Sequence, residues 1–455
     1  MLKSFVSIHP YDQRIIAEYP IMHPAEVDRI LENSKTTFAH WHTTSLTERS
    51  ELLNRVAAVL RKNQKQYATL ITMEMGKVLN ESMSEVEKCA WNCAYYAEQA
   101  PAMLEPEISP SDADFSYVVF EPIGCVFAIM PWNFPFWQVF RFAAPVLMAG
   151  NTIILKHAPN VSGCALAIEQ IFREAGLPEH VFQTVIVDTD RVEQIIAHDI
   201  VQGVTLTGSE RAGSAVGALA GKHIKTSVLE LGGSDPLIVL RDADTQLAAR
   251  IALQSRFQNA GQSCIASKRF IVEEAAKDDF LQALVDGVRA LKQGDPLQPG
   301  ITTGPMARVD LAEELAQQQQ ASIRKGAALV IGGDRNDANF QPAILEHVHK
   351  GMPAFDQELF GPVASIITAK DAEHAVQLAN DNRYGLGASL FSRDIDLAKR
   401  IARQLNAGGV FINALVKSDP RLPFGGVKKS GYGRELSHYG LKEFTNIKSV
   451  YIRKK

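Results

Sequence analysis

The chain holds 455 residues, 46% hydrophobic and 22% charged, with a formal net charge of −4. That length exceeds what one compact core fills and predicts two or three domains. The mild charge offers nothing to nucleic acid or an anionic membrane surface, Met1-Leu-Lys-Ser-Phe lacks an apolar leader, and no stretch reaches the roughly 20 apolar residues that span a bilayer.

In chain order, the first quarter is helical in pattern. Ser45 and Glu48 form a capping box before an amphipathic run over 52–60, and periodic apolar residues continue through 68–100. Beyond Tyr117 short β-rich runs alternate with helices: strand 126–130, helix 135–149, strand 152–156, helix 164–175, strand 203–206, helix 210–220 and strand 226–231. The alternation restarts after Gly233 with strand 236–240, helix 248–258 and strand 268–272. It ends with strand 364–368, helix 372–380, strand 388–391, helix 396–405 and strand 409–412. Strands separated by helices predict βαβ units and parallel sheets, here two modules joined near 232–234. A hairpin within 104–121 and a strand at 447–453 have no core of their own, so they are expected to pair across a subunit interface. No internal repeat is evident. Cys89, Cys93, Cys125, Cys164 and Cys264 are an odd count without C-x-x-C pairs, which predicts free thiols in a reducing cytoplasm and no metal site. Cys89 and Cys93, one helical turn apart, read as packed structural residues.

Four motifs carry chemistry. Val204-Thr-Leu-Thr-Gly208-Ser-Glu-Arg-Ala-Gly213 ends a strand and opens a helix whose free N–H groups can take a phosphate. It is neither G-x-G-x-x-G nor a Walker loop, and on spacing alone a plain strand–helix turn fits equally. Met130-Pro-Trp-Asn133-Phe-Pro135 puts a side-chain amide just past a strand end. Phe257-Gln-Asn-Ala-Gly-Gln-Ser-Cys264 puts one cysteine behind a Gly-Gln turn, shortly after Leu229-Glu-Leu-Gly-Gly233. A thiol nucleophile plus a carboxylate base is the minimum for covalent catalysis through a thioester.

The Glu230–Cys264 pair, at this spacing, resembles the aldehyde dehydrogenase superfamily, and the resemblance runs over essentially the whole chain. It implies an α/β fold of two doubly wound domains and a small β oligomerisation arm. The cofactor-binding, Rossmann-like domain takes 1–103 and 123–233, the catalytic domain 234–430, and the arm 104–122 and 431–455. The implied assembly is a homodimer or homotetramer, the cofactor NAD or NADP, and the substrate a small-molecule aldehyde.

Residue by residue, Cys264 matches the nucleophile, Asn133 the oxyanion donor and Glu230 the base that activates water on the thioester. Relatives that release an acyl-CoA lack that glutamate, so a free acid is the expected product. Gly208, Ser209 and Gly213 match the pyrophosphate turn, Lys156 the lysine at the adenine ribose, and Glu358 the carboxylate at the nicotinamide ribose. Trp132, Leu231 and Phe360 complete the expected cofactor contacts. Where NAD-preferring relatives carry a glutamate three residues after the lysine, this chain has Pro159, which neither binds the ribose hydroxyls nor repels a 2′-phosphate. His157 is either an aid to NADP or a half-buried loop histidine.

On the substrate side, Phe424 is expected to wall the tunnel. Arg141 is either a bidentate partner for a substrate carboxylate or a buried arginine paired with a local acid. Gln258 stands where many succinate-semialdehyde enzymes place a second arginine, and Arg421 is a further carboxylate partner or an exposed arginine. The expected reaction is oxidation of succinate semialdehyde to succinate. The alternatives are glutarate semialdehyde, lactaldehyde or an aliphatic aldehyde, or a non-catalytic scaffold protein.

Overall fold

The computed structural model describes residues 3–454. Two large sheets carry the fold. In the first, strands lie in the order Gly431–Tyr432, Thr226–Glu230, Val201–Thr207, Cys125–Met130, Thr152–His157 and Phe182–Thr184. All are parallel except Gly431–Tyr432, which runs antiparallel to Thr226–Glu230. The second sheet is ordered Ala328–Ile331, Ala343–Glu346, Val363–Ala369, Ser267–Glu273, Asp235–Val239, Gly387–Phe391 and Gly409–Ile412. Only its first strand is antiparallel.

The central strands read as unbroken apolar runs because helices cover both faces of each sheet. Every residue of Thr152–His157, Asp235–Val239 and Gly387–Phe391 is buried. The first sheet reverses its strand order between Cys125–Met130 and Val201–Thr207, so a crevice opens past their carboxyl ends. The loops at that crevice are the Asn133 and Gly208 motifs.

The sequence reading and the structure differ in several places. The helical run 68–100 is two helices, Gln64–Met75 and Leu79–Met103, because Gly76 sits at φ 83 and caps the first. An antiparallel pair, Ser4–Ile8 with Ile15–Pro20, precedes the helix Pro24–Trp41. Helices Glu274–Ala290 and Val309–Arg324 fill a stretch in which the periodicity singled out no element. The arm strands find partners within this chain: Thr445–Ile452 pairs along all of Phe115–Pro122, which also pairs Glu107–Ile108. Residues 431–442, assigned to the arm on sequence grounds, pack with the first sheet, and Leu436 and Leu441 are buried in its core. The Ser45–Glu48 capping box forms as expected, and Cys89 and Cys93 are fully buried. No helix among the described residues is long and apolar enough to cross a membrane.

One buried ion pair links the helical layer to the crevice. Glu85, on Leu79–Met103, pairs with Lys77 and accepts from the Phe136 and Trp137 backbone N–H groups at 2.9 and 3.0 Å. It thereby holds the amino end of helix Trp137–Met148, where unpaired N–H groups favour an anion. The Lys77 ammonium lies 3.7 Å from the Phe134 ring centroid. Removing one partner strands a buried charge, so Lys77→Met is expected to cost about 3–5 kcal/mol. The readout is the urea midpoint; an unchanged midpoint would contradict this dependence.

Candidate active site

The nucleophile loop is irregular backbone under tight control. Asn259, Ala260 and Gly261 take successive φ values of 55, 49 and 74, a left-handed run that disfavours the first two residues. Three buried side chains hold it. The Arg256 guanidinium donates to the carbonyls of Gly261 and Gly361, the latter at 2.6 Å. Asn259 donates to the carbonyls of Asn133 and Gln262 at 2.8 and 3.1 Å. Gln262 accepts from the Ala307 N–H at 2.8 Å. Gly261 is required by contact as well as by φ, since a Cβ there would lie 2.4 Å from Arg256 Nη2.

Cys264 follows this turn, part-exposed at the junction of two cavities of about 900 and 150 Å3. Asn133, buried, lines the larger one and donates one amide hydrogen to the Gln262 carbonyl at 3.0 Å. Lys268, which the sequence reading did not single out, is fully buried. Its ammonium donates to the carbonyls of Ser263 and Cys264, both at 2.8 Å, and of Ala266 at 3.2 Å, and lies 3.4 Å from Glu358 Oε1. Burial pushes the Cys264 thiol up to about 11, while Arg141 and then Lys268 draw it down. The signal in the sequence was Lys268-Arg269 opening a strand whose every residue is buried; two cations there need interior partners.

Glu230 ends the strand Thr226–Glu230, buried, with neither carboxylate oxygen hydrogen-bonded. Burial, and then the neighbouring Glu435, hold it well above the usual carboxylate range, against Arg141 and Arg434. Glu230 lies outside the lining of both cavities. Arg141 is 1% exposed and ion-paired with Glu435, donates to Thr207 Oγ1 at 3.2 Å, and lies 4.6 Å from the Phe424 ring centroid. The smaller cavity brings together Arg141, Gln258, Phe424 and Cys264. Arg421 is instead bound to Asp419 at 2.7 Å and stacks on Trp91.

The larger cavity is lined by Trp132, Gly208, Ser209, Leu231, Glu358 and Phe360, together with Cys264. Ser209 caps helix Glu210–Lys222, its hydroxyl accepting from the Ala212 N–H at 3.3 Å. Gly208 has no positive φ, and a Cβ there would make only an ordinary contact at 3.5 Å with Leu206. Its bare surface keeps the cavity wall open rather than serving the turn. Gly213 lies off that wall; a Cβ there would strike Leu231 at 2.4 Å, so this glycine seats Leu231. The Glu358 carboxylate accepts from the Gly233 N–H at 3.0 Å, and Gly232 admits it, a Cβ there lying 2.2 Å from Glu358 Oε2. Trp132 and Phe360 meet edge to face at 5.8 Å.

Lys156 is buried at its strand end and outside the cavity lining, its pKa lowered by burial against Asp188. His157 is buried and accepts from the Ala158 N–H at Nδ1 (2.9 Å), which places its proton on Nε2, donating to the Pro135 carbonyl at 2.9 Å. Burial pushes it down to about 4, so at neutral pH it is an uncharged strut under Pro135 and brings no charge to a 2′-phosphate. Among the described residues no cluster of three His, Cys, Asp or Glu is placed to hold a metal.

Because the thiolate is the reactive form, removing the Lys268 charge should raise the Cys264 pKa. Alkylation of Lys268→Met by iodoacetamide at about pH 8 is expected to be on the order of tenfold slower than in the parent chain. Equal rates would show that the thiol does not feel this ammonium.

Comparison with known proteins agrees with this geometry. The pattern of the aldehyde dehydrogenase family matches residues 2–450. The chain is 46% identical over 449 residues to the Escherichia coli succinate semialdehyde dehydrogenase Sad, specified as NAD(P)+, covering 98% of this chain and 97% of that protein. It is 43% identical over 452 residues to a probable succinate-semialdehyde dehydrogenase, specified as NADP(+), of Synechocystis sp., covering 99% and 100%. The crystal structure of succinic semialdehyde dehydrogenase from Streptococcus pyogenes in complex with NADP+ superposes with a TM-score of 0.97 at 36% identity, covering 99% of this chain and 100% of that one. Full-length likeness in sequence and fold, around a cysteine set between two cavities, places the chain in the aldehyde dehydrogenase family.

Proposed function

We propose that the chain oxidises succinate semialdehyde to succinate with NAD or NADP, through a thiohemiacetal and then a thioester on Cys264. The observation that carries this reading is Cys264 at the meeting of a large crevice and a narrow pocket that has basic side chains on its wall. Relatives similar to this chain over their full length carry the names of succinate-semialdehyde dehydrogenases.

The larger cavity suits a dinucleotide on its own terms. It offers the amino end of helix Glu210–Lys222 to phosphate, the Glu358 carboxylate to ribose hydroxyls, and the bare Gly208 and Gly232 to a close approach. A dinucleotide held there would supply the hydride acceptor through its nicotinamide ring. Once its thiol proton has passed to solvent, Cys264 adds as the thiolate through Sγ to the aldehyde carbon, and the carbonyl oxygen becomes an oxyanion received by Asn133 Nδ2 and the Cys264 backbone N–H. Hydride loss from that carbon leaves a thioester. Glu230 swings forward, takes a proton from water, and the hydroxide displaces the Cys264 thiolate to release the acid. Pro159 sets no acid against a 2′-phosphate, so both dinucleotides are proposed. The reading includes a reducing, cytoplasmic setting for the five free cysteines. It also includes a homodimer or homotetramer built on the arm sheet, whose Ile108, Ile447 and Tyr451 are exposed.

Steady-state oxidation of succinate semialdehyde with NAD and NADP in parallel tests the reading, with Cys264→Ala as the blank. Turnover abolished in that variant is expected, and Asn133→Ala should lose about 10²–10³ in kcat. No turnover with either dinucleotide would overturn the assignment. Since Glu230 must be deprotonated to act and its pKa is raised, kcat should climb with pH along a limb lying above the ordinary carboxylate range. A pH-independent kcat from about pH 5 upward would remove Glu230 as the titrating base.

A further inference from the structure

The left-handed turn that leads to Cys264 has a further anchor, on a distant helix. Glu81 stands in the first turn of Leu79–Met103, where an acid ordinarily serves the free N–H groups of its own helix. Here its carboxylate is engaged elsewhere: Glu81 Oε2 accepts from the Asn259 backbone N–H at 3.0 Å. The helix start is served by another group, since the Leu79 N–H donates to the Pro296 carbonyl at 3.0 Å. Glu81 is half-buried on the wall of the narrow pocket, which Cys264 also lines.

Asn259 opens the left-handed run at φ 55, and its two ends face opposite tasks. Its backbone N–H is held by Glu81. Its side-chain amide donates to the carbonyls of Asn133 and Gln262 at 2.8 and 3.1 Å, and Asn133 Nδ2 donates to that same Gln262 carbonyl at 3.0 Å. Asn259 and Asn133 are both buried, so water does not stand in for a lost partner. Without the carboxylate, a buried N–H in strained backbone is left unpaired, and the turn relaxes to satisfy it. Lys77 keeps Glu85 as its counter-charge, so truncating Glu81 strands no cation.

We propose that Glu81 is a positioning residue for the oxyanion donor: by fixing the Asn259 backbone it sets, through the Asn259 amide, where Asn133 meets the developing oxyanion. Glu81 itself touches no reacting atom. This rests on the thioester reading above and adds a residue to its machinery. The effect falls on the chemical step common to every aldehyde, not on recognition of one of them.

The test is the single-turnover rate at which NADP is reduced by succinate semialdehyde and by butanal, in the parent chain, Glu81→Ala, Glu81→Gln, Asn133→Ala and the double variant Glu81→Ala with Asn133→Ala. A hydrogen bond to a charged group corresponds to about 10- to 100-fold. Glu81→Ala should lose that factor, equally on both aldehydes. Glu81→Gln, whose amide oxygen still accepts from the Asn259 N–H, should recover most of the loss. The double variant should lie within about twofold of Asn133→Ala alone, because Glu81 acts through Asn133. A loss confined to succinate semialdehyde would make Glu81 a substrate contact and overturn the proposal. So would the full product of the two single losses, or an undiminished rate in Glu81→Ala. Should Glu81→Ala not fold, Glu81→Asp, which keeps the charge and withdraws the acceptor by one methylene, is read by the same comparisons. If the parent reduces NADP with neither aldehyde, the thioester reading falls and this proposal with it.

Discussion

Backbone carbonyls held by buried cations are the constraint on which this site depends. The left-handed run at Asn259–Gly261 and the bend that follows it leave carbonyl groups turned away from any strand or helix partner. Arg256 collects those of Gly261 and Gly361, Lys268 those of Ser263, Cys264 and Ala266, and Arg269 those of Ser234, Leu378 and Ala379. Arg256 and Lys268 fix irregular backbone, and Arg269 ties the Ser234 turn to the last turn of helix Ala372–Asn380. Because Arg256 bridges the nucleophile loop to Gly361, and Lys268 bridges it to Glu358, the thiol and the cofactor-side carboxylate are set by one framework. A shift on either side is felt on the other.

The electrostatic state that results is a resting one. Burial keeps the Cys264 thiol protonated and keeps Glu230 well above the usual carboxylate range, and Glu435 beside it strengthens the effect. Arg141 sits between these demands, drawing down Cys264, Glu230 and Glu435 alike.

Much of this was legible in the sequence. Period and apolar runs located the parallel strands, since a strand buried on both faces must read as a continuous hydrophobic segment. The capping box at Ser45 and Glu48 marked a helix start through local chemistry. Motif spacing brought Asn133, Cys264, Gly208 and Glu358 to one crevice. What stayed hidden depends on contacts between residues distant in sequence. Lys268 and Arg256 are recognised only by the carbonyls they meet, and Glu435 only by its approach to Arg141. The roles of Gly208 and Gly213 could not be told apart by spacing, because one faces the cavity and the other faces Leu231. Strand Gly431–Tyr432 is two residues long and has no periodicity to read, yet its pairing with Leu229 and Glu230 carries the C-terminal segment into the first sheet.

The central claim is that Cys264 becomes acylated and that Glu230 releases the acyl group. The most direct measurement is mass spectrometry of the Cys264 peptide from Glu230→Gln after mixing with succinate semialdehyde and NADP. The account predicts a succinyl group on Cys264 that accumulates with one equivalent of reduced dinucleotide and then persists. Reduced dinucleotide formed over an unmodified Cys264 would contradict it.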